Sequence, residues 1–250
     1  MPSLSHNQLS NLLQEARQAR TPVSVLDTEA RQIHYLPSTC TTEDASELAE
    51  IALRPPAGTT IYKYGTRSLV GGYQLESGKN VALKYYFPKS IPKKLRYGIG
   101  SSRCEQSWLG SIGLHALGIP TPSPLAFFEY NRYAIWNHQS FLATEQAPGI
   151  PLHQYYKKYR SDSTRITLLL DSLKQLFDLM AEYRIAHGDL KASNILVNSD
   201  NSLQFIDLDS VSFLNTGQRW HQLRARDSSI FLQNWRHDSD ALTTFQSAIS

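Results

Sequence analysis

The chain has 250 residues, 41% of them hydrophobic and 19% charged, enough apolar material to bury a substantial core as one large domain or two modest lobes. Its 25 lysines and arginines against 22 aspartates and glutamates leave a formal charge of +3, too small and too dispersed for an obligate nucleic-acid binder. Two cysteines, Cys40 and Cys104, lack C-x-x-C spacing and a nearby histidine pair, which argues against a disulfide framework or a zinc site and for a reducing compartment.

Met1 to Arg20 lacks the apolar core of a signal peptide, and no run of about 18 apolar residues would span a bilayer. The expectation is a cytoplasmic protein, free to dock on a membrane surface through a basic or amphipathic patch. Leu9, Leu12, Leu13 and Ala16 recur at helical spacing with Ser5 or Asn7 as a cap, so residues 6 to 20 are expected to form an amphipathic helix that serves packing. A polar stretch from Ser38 to Glu47 leads to Arg54-Pro55-Pro56-Ala57-Gly58, which breaks regular structure, and the main fold is expected to begin near there.

From Thr60 to Tyr86 the runs TTIYKYG, SLVGGYQLE and NVALKYY are β-branched, aromatic and punctuated by glycine, as three antiparallel strands would be. Ser101 to Leu117 reads as a helix, closed by Gly118-Ile119-Pro120-Thr121-Pro122. LAFFEY, YAIWN and SFLATE read as further strands, and Ala147-Pro148-Gly149 as a hinge. Beyond it, Leu152 to Tyr159 and Ser163 to Arg184 are expected to be helical. A loop AHGDLKASN then precedes a hairpin, ILVN and LQFIDLD, joined by Ser199-Asp200-Asn201-Ser202. Residues 219–250 look helical, and the chain contains no internal repeat. The expectation is an α+β chain in two lobes with a cleft between them: residues 1–56 as an extension carrying an amphipathic helix, 57–146 as a β-rich N-lobe, and 147–250 as a short helical C-lobe.

The most specific run is His187-Gly188-Asp189-Leu190-Lys191-Ala192-Ser193-Asn194, followed by a hairpin that ends Phe205-Ile206-Asp207. It resembles the catalytic loop of kinases, in which an aspartate orients the acceptor hydroxyl and an asparagine five positions later binds magnesium. The resemblance implies Asp189 as the base, Asn194 and Asp207 as metal ligands, and Lys191 as a cation beside the transferring phosphate. Such chemistry needs positioned cations because the transition state spreads negative charge over the phosphate oxygens. The plainer alternative, that these are ordinary turn residues, requires three functional types to fall in the right order and spacing by accident. His187 reads as support for the backbone, and Asp209 as either an extra metal-shell ligand or a helix N-cap.

Lys84, in Val81-Ala82-Leu83-Lys84, matches the lysine that holds the α- and β-phosphates, although such a tetrapeptide also occurs on surface strands. Glu105 on the following helix is its candidate ion-pair partner, with Glu76 a competitor on a turn. The segment Gly65 to Gly72 is not G-x-G-x-x-G, which leaves backbone amides and the Ser68 hydroxyl to cover the phosphates. No G-x-x-x-x-G-K-[ST] occurs, which excludes a P-loop kinase.

The chain resembles the bacterial lipopolysaccharide kinases, the Kdo and heptose kinases of the inner core. The residues that carry the likeness are Leu83-Lys84-Tyr85-Tyr86, Ser102-Arg103-Cys104-Glu105 through Trp108 to Pro122, His187 to Leu196, Ile206-Asp207-Leu208-Asp209, and Leu223-Arg224-Ala225-Arg226-Asp227 with Phe231-Leu232. The resemblance implies a kinase that uses ATP and magnesium to phosphorylate a sugar hydroxyl on a lipid-A-linked core oligosaccharide, at the cytoplasmic face of the inner membrane. After Asp207 only 43 residues remain (250 minus 207), with no A-P-E among them, so a small acceptor is favoured over a protein one. The alternatives are a small-molecule kinase of the aminoglycoside and choline phosphotransferase type, which shares H-G-D, and a non-catalytic pseudokinase. The latter is disfavoured because Lys84, Asp189, Asn194 and Asp207 are all present. Lys89, Lys93, Lys94 and Arg96, interleaved with Phe87, Ile91, Leu95 and Tyr97, form either a solvated loop or a surface for an anionic glycolipid and its neighbouring headgroups.

Overall fold

Residues 4–20, 22–28, 32–87, 102–130 and 139–249 are described by the computed structural model. The chain divides into two units, one made of Pro2–Ala116 with Pro122–Gln146, the other of Leu117–Thr121 with Ala147–Ser250.

The first unit is built on an antiparallel sheet of seven strands: β1 (Ser24–Asp27), β2 (Gln32–Tyr35), β3 (Thr60–Tyr64), β4 (Ser68–Gln74), β5 (Asn80–Tyr86), β6 (Pro124–Tyr130) and β7 (Gln139–Glu145). They lie in the order β1-β2-β6-β7-β5-β4-β3. The period of two along a strand sends successive side chains to opposite faces. On β5, Val81, Leu83 and Tyr85 join Leu125, Phe128 and Phe141 on one face, while Tyr86 joins Phe127 and Leu142 on the other. The strand expected for YAIWN lies outside the described residues.

Each face is covered by helix. Helix α1 (His6–Arg17) starts where the sequence suggests, with a capping box between Ser5 and Gln8, but it stops three residues short of the expected end. Helix α2 (Thr42–Ile51) occupies a stretch read as polar; Thr41 caps it by accepting from the Asp44 amide, and Ala45, Leu48 and Ala49 form its buried stripe. Helix α3 (Arg103–Ala116) is buried along most of its length, and Gly118 ends it in the left-handed conformation at φ +69°. Helix α2 covers the face that holds Leu83 and Phe141, and α1 and α3 the face that holds Phe127.

The second unit has a small antiparallel sheet, β8 (Ile150–Pro151), β9 (Ile195–Val197) and β10 (Leu203–Phe205), in the order β10-β9-β8. Helices α4 (Leu152–Tyr159), α5 (Ser163–Glu182), α6 (Gly217–Gln233) and α7 (Ser239–Ile249) complete it. On α5, Leu169, Leu173, Leu176 and Met180 fall at spacings of three and four and are buried, the stripe a packed amphipathic helix requires. An aromatic cluster ties α4, α6 and α7 together: Phe231 of α6 and Tyr156 of α4 meet Phe245 of α7 at 5.7 and 5.0 Å between ring centroids, and Trp235, just past α6, stacks on Phe245 at 4.2 Å. The sequence suggested a helical remainder; two helices are found, separated by a break at residues 234–238. The α+β class expected from the sequence is the class observed. Among the described residues, no helix is long and apolar enough to cross a membrane.

Candidate active site

The loop between α5 and β9 is held by its own hydrogen bonds and by one buried carboxylate. The Lys191 amide donates to the Asp189 carbonyl at 2.8 Å, and the Asn194 amide to the Lys191 carbonyl at 2.8 Å, closing a short 3-10 turn at Ala192–Asn194. The Asn194 side-chain nitrogen donates to the Asp189 carbonyl at 2.9 Å, so the asparagine is tied to the aspartate five positions before it. Lys191 Nζ meets Asp189 Oδ2 at 2.8 Å, with the Asp189 side chain 35% exposed. The Ile206 amide donates to the Asn194 carbonyl at 2.9 Å, and the next residue is Asp207. Asp207 takes the left-handed conformation, φ +62°, which an L-residue other than glycine adopts at a cost of order 1 kcal/mol. Asp189, Lys191, Asn194 and the Asp207 backbone are therefore gathered by bonds at both ends of the hairpin.

Beneath this loop lies Asp227, on α6 and 3% exposed. Its Oδ2 accepts the His187 amide at 2.7 Å and its Oδ1 the Gly188 amide at 2.9 Å. Two buried backbone donors in a loop would otherwise lack partners, each at a cost of about 1–3 kcal/mol. Gly188 has φ +79°, and a Cβ there would stand 2.5 Å from the Ser210 carbonyl oxygen, so no other residue fits. His187 is buried and packs edge-on against Phe205 at 5.3 Å. Burial pushes its imidazole below the usual range, against the pull of Asp227, Asp207 and Asp189. The neutral ring donates from Nε2 to the Ile206 carbonyl at 3.1 Å. Its position matches the supporting role read from the sequence. Asp209 is buried and accepts from the Ser210 hydroxyl at 3.1 Å; because α6 begins only at Gly217, with Thr216 in its N-cap position, the N-cap reading of Asp209 falls.

In the β-rich unit, Lys84 is on β5 opposite Val70 of β4 and Leu142 of β7. Its Nζ lies 4.8 Å from the centroid of the Tyr86 ring. Glu105 sits in the first turn of α3, where its amide donates to the Ser102 hydroxyl at 3.0 Å. Both act on one buried neighbour: the Cys104 thiol is pushed well up, first by burial and by Glu129, with Glu105 adding and Lys84 opposing. Lys84 and Glu105 thus both lie within electrostatic reach of the same thiol. The Glu76 amide donates to Glu47 of α2 at 2.9 Å. Ser68 opens β4 opposite Tyr86, and its carbonyl accepts the Gly65 amide at 2.9 Å, so the segment read as a phosphate-covering loop is a tight turn at residues 65–67 followed by the first residues of β4. Gly72 lies within β4 beneath the Tyr62 ring, which leaves no room for a Cβ there. Lys89, Lys93, Lys94 and Arg96 lie outside the described residues.

Two residues went unassigned in the sequence. Asp227 stood only as one letter of a shared run; a lone acid after Arg224 and Arg226 is the signal it offered. Arg17, whose Nε is 3.9 Å from Glu105 Oε1, comes from far upstream of the motifs.

The sequence model of the lipopolysaccharide kinase (Kdo/WaaP) family matches residues 61–229, more than half of the chain. No curated protein matches it.

Proposed function

The chain belongs to the lipopolysaccharide kinase (Kdo/WaaP) family, and on that premise we propose that it transfers the γ-phosphate of ATP to a sugar hydroxyl of the lipopolysaccharide inner core, on Kdo or heptose. The observation that carries this reading is the gathering of Asp189, Lys191 and Asn194 in one hydrogen-bonded turn, with Lys191 Nζ 2.8 Å from the Asp189 carboxylate.

In this reading the partly exposed Asp189 carboxylate accepts the proton of the acceptor hydroxyl as its oxygen attacks phosphorus. Lys191, held beside that carboxylate, brings a positive charge to the oxygens of the moving phosphoryl group. Asn194 and Asp207 fit magnesium because both offer hard oxygen ligands, and the Asn194 nitrogen is already committed to the Asp189 carbonyl at 2.9 Å, which leaves its amide oxygen for the metal. Bound magnesium would neutralise charge on the nucleotide phosphates. Lys84 holds the α- and β-phosphates, Glu105 steadies it, and Ser68 with its turn covers them. Lys89, Lys93, Lys94 and Arg96 contact the anionic glycolipid at the cytoplasmic face of the inner membrane.

The test is Asp189→Ala assayed for phosphate transfer to lipopolysaccharide. Turnover should fall by roughly 10²-fold or more, the range of a positioned base, while binding of magnesium ATP stays near wild type. A variant that still phosphorylates at close to the wild-type rate removes Asp189 from this role.

A further inference from the structure

We infer that Arg17 is a positioning residue for Glu105, so that a helix from outside the matched stretch sets the geometry of the nucleotide lysine. The inference rests on the reading that Glu105 steadies Lys84.

A glutamate side chain has three rotatable bonds, and it serves as an ion-pair partner only when its rotamer is locked by packing or by a directional bond. Packing alone does not lock Glu105. One side of it faces a cavity of about 320 Å³, whose walls include Arg17, Gln32, His34, Trp108 and Phe127. A carboxylate that lines that space is not enclosed by packing on every side, so a directional partner helps fix its rotamer. What stands at the same cavity is a guanidinium: Arg17 Nε is 3.9 Å from Glu105 Oε1, with the arginine side chain 58% exposed and the glutamate 5%.

Arg17 is delivered there by a fixed element. Helix α1 begins with a capping box and packs its Ala16 into the cluster that holds Cys104, Trp108 and Ile112 of α3, with Leu12 and Leu13 laid against it. Arg17 directly follows Ala16 as the last residue of α1, so its backbone is set by that packing. None of α1 falls within residues 61–229.

The two cations act together. A carboxylate has two oxygens and about four lone-pair sites, so a guanidinium at Oε1 leaves room for an ammonium at Oε2. Withdrawing an anion from water is costly, and a second positive neighbour offsets part of that cost. Arg17 therefore favours the rotamer that keeps Glu105 pointed at the lysine strand.

The experiment is a double-mutant cycle on the full chain, with the dissociation constant of magnesium ATP measured by calorimetry and the melting midpoint measured alongside. Arg17→Gln should weaken binding by roughly 3- to 10-fold, the scale of a partly exposed ion pair, with little change in melting. Glu105→Gln should weaken it more, the double variant should bind no worse than Glu105→Gln alone, and Arg17→Lys should recover part of the loss. Unchanged or tighter binding by Arg17→Gln, beside a weakened Glu105→Gln, overturns the inference and leaves the role of Glu105 standing. Losses that simply add in the double variant overturn it too, because Arg17 would then act elsewhere. If Glu105→Gln itself binds normally, the reading of Glu105 fails and takes the inference with it.

Discussion

One carboxylate holds two successive peptide groups of the catalytic-type loop: Asp227 accepts the amides of His187 and Gly188 at 2.7 and 2.9 Å. The loop itself was legible because its chemistry is written at short range, as an aspartate, a lysine two residues on and an asparagine three further. Asp227 was not, since its bonds reach across 40 and 39 positions and its neighbours in sequence are two arginines and a serine. Burying His187 beside that acid also has a consequence for stability. Its pKa lies below the ordinary value of 6.5, chiefly through burial, with Asp227, Asp207 and Asp189 opposing. An unfolded imidazole takes up its proton near 6.5 and the folded one only at lower pH, so below that value the unfolded state binds more protons and stability falls. The slope is positive: stability drops as pH falls through 6.5 toward the folded value. Denaturant titrations of wild type and His187→Gln from about pH 7.5 to about pH 5.5 should show this drop in wild type and a flatter curve in the variant. Parallel curves would mean that another group carries the dependence.

At the scale of elements, periodicity served where stripes are wide and failed where they are narrow. Helix α1 announces itself through Leu9, Leu12, Leu13 and Ala16, and its cap through Ser5. Helix α2 has mostly alanine for an apolar face, set among Thr42, Glu43, Asp44, Glu47 and Glu50, and so reads as polar until the sheet supplies something to pack against. Strands β1 and β2, four residues each, are too short for alternation to show, and the pairing of β2 with β6 is a long-range event. If α2 is a true core helix, truncating its central leucine should be costly. Leu48 is 0% exposed within the sheet's core cluster, so Leu48→Ala should lower unfolding free energy by about 2–5 kcal/mol. The same change at Leu168 on α5, which is 46% exposed, should cost less than about 1 kcal/mol. Equal losses at the two sites, measured by urea denaturation, would place α2 outside the core.

For the whole molecule, the strand-rich first half and helix-rich second half follow from the residue pattern, whereas β1, β2 and α2 had no motif to announce them and take their places against the sheet. Lys89, Lys93, Lys94 and Arg96 place four cations within eight positions, interleaved with Phe87, Ile91, Leu95 and Tyr97. With the proposed acceptor, an anionic glycolipid of the lipopolysaccharide core, these cations would meet its phosphate and carboxylate groups while the apolar residues touch the interface. Each basic side chain near an anionic surface contributes about 1 kcal/mol, and salt screens much of it beyond a Debye length of about 8 Å at physiological strength. Charge reversal at Lys93, Lys94 and Arg96 should therefore lower flotation with anionic vesicles, most visibly at low salt, and raise the apparent KM for lipopolysaccharide. ATP hydrolysis without acceptor should stay within about twofold, because none of the three is assigned to the phosphates, and an effect smaller than about 0.4 kcal/mol is what a remote surface change produces. Equal flotation of wild type and the triple variant at both salts, with unaltered kinetics on the lipid acceptor, would reduce the cluster to a solvated loop and move the search for the docking surface elsewhere on the chain.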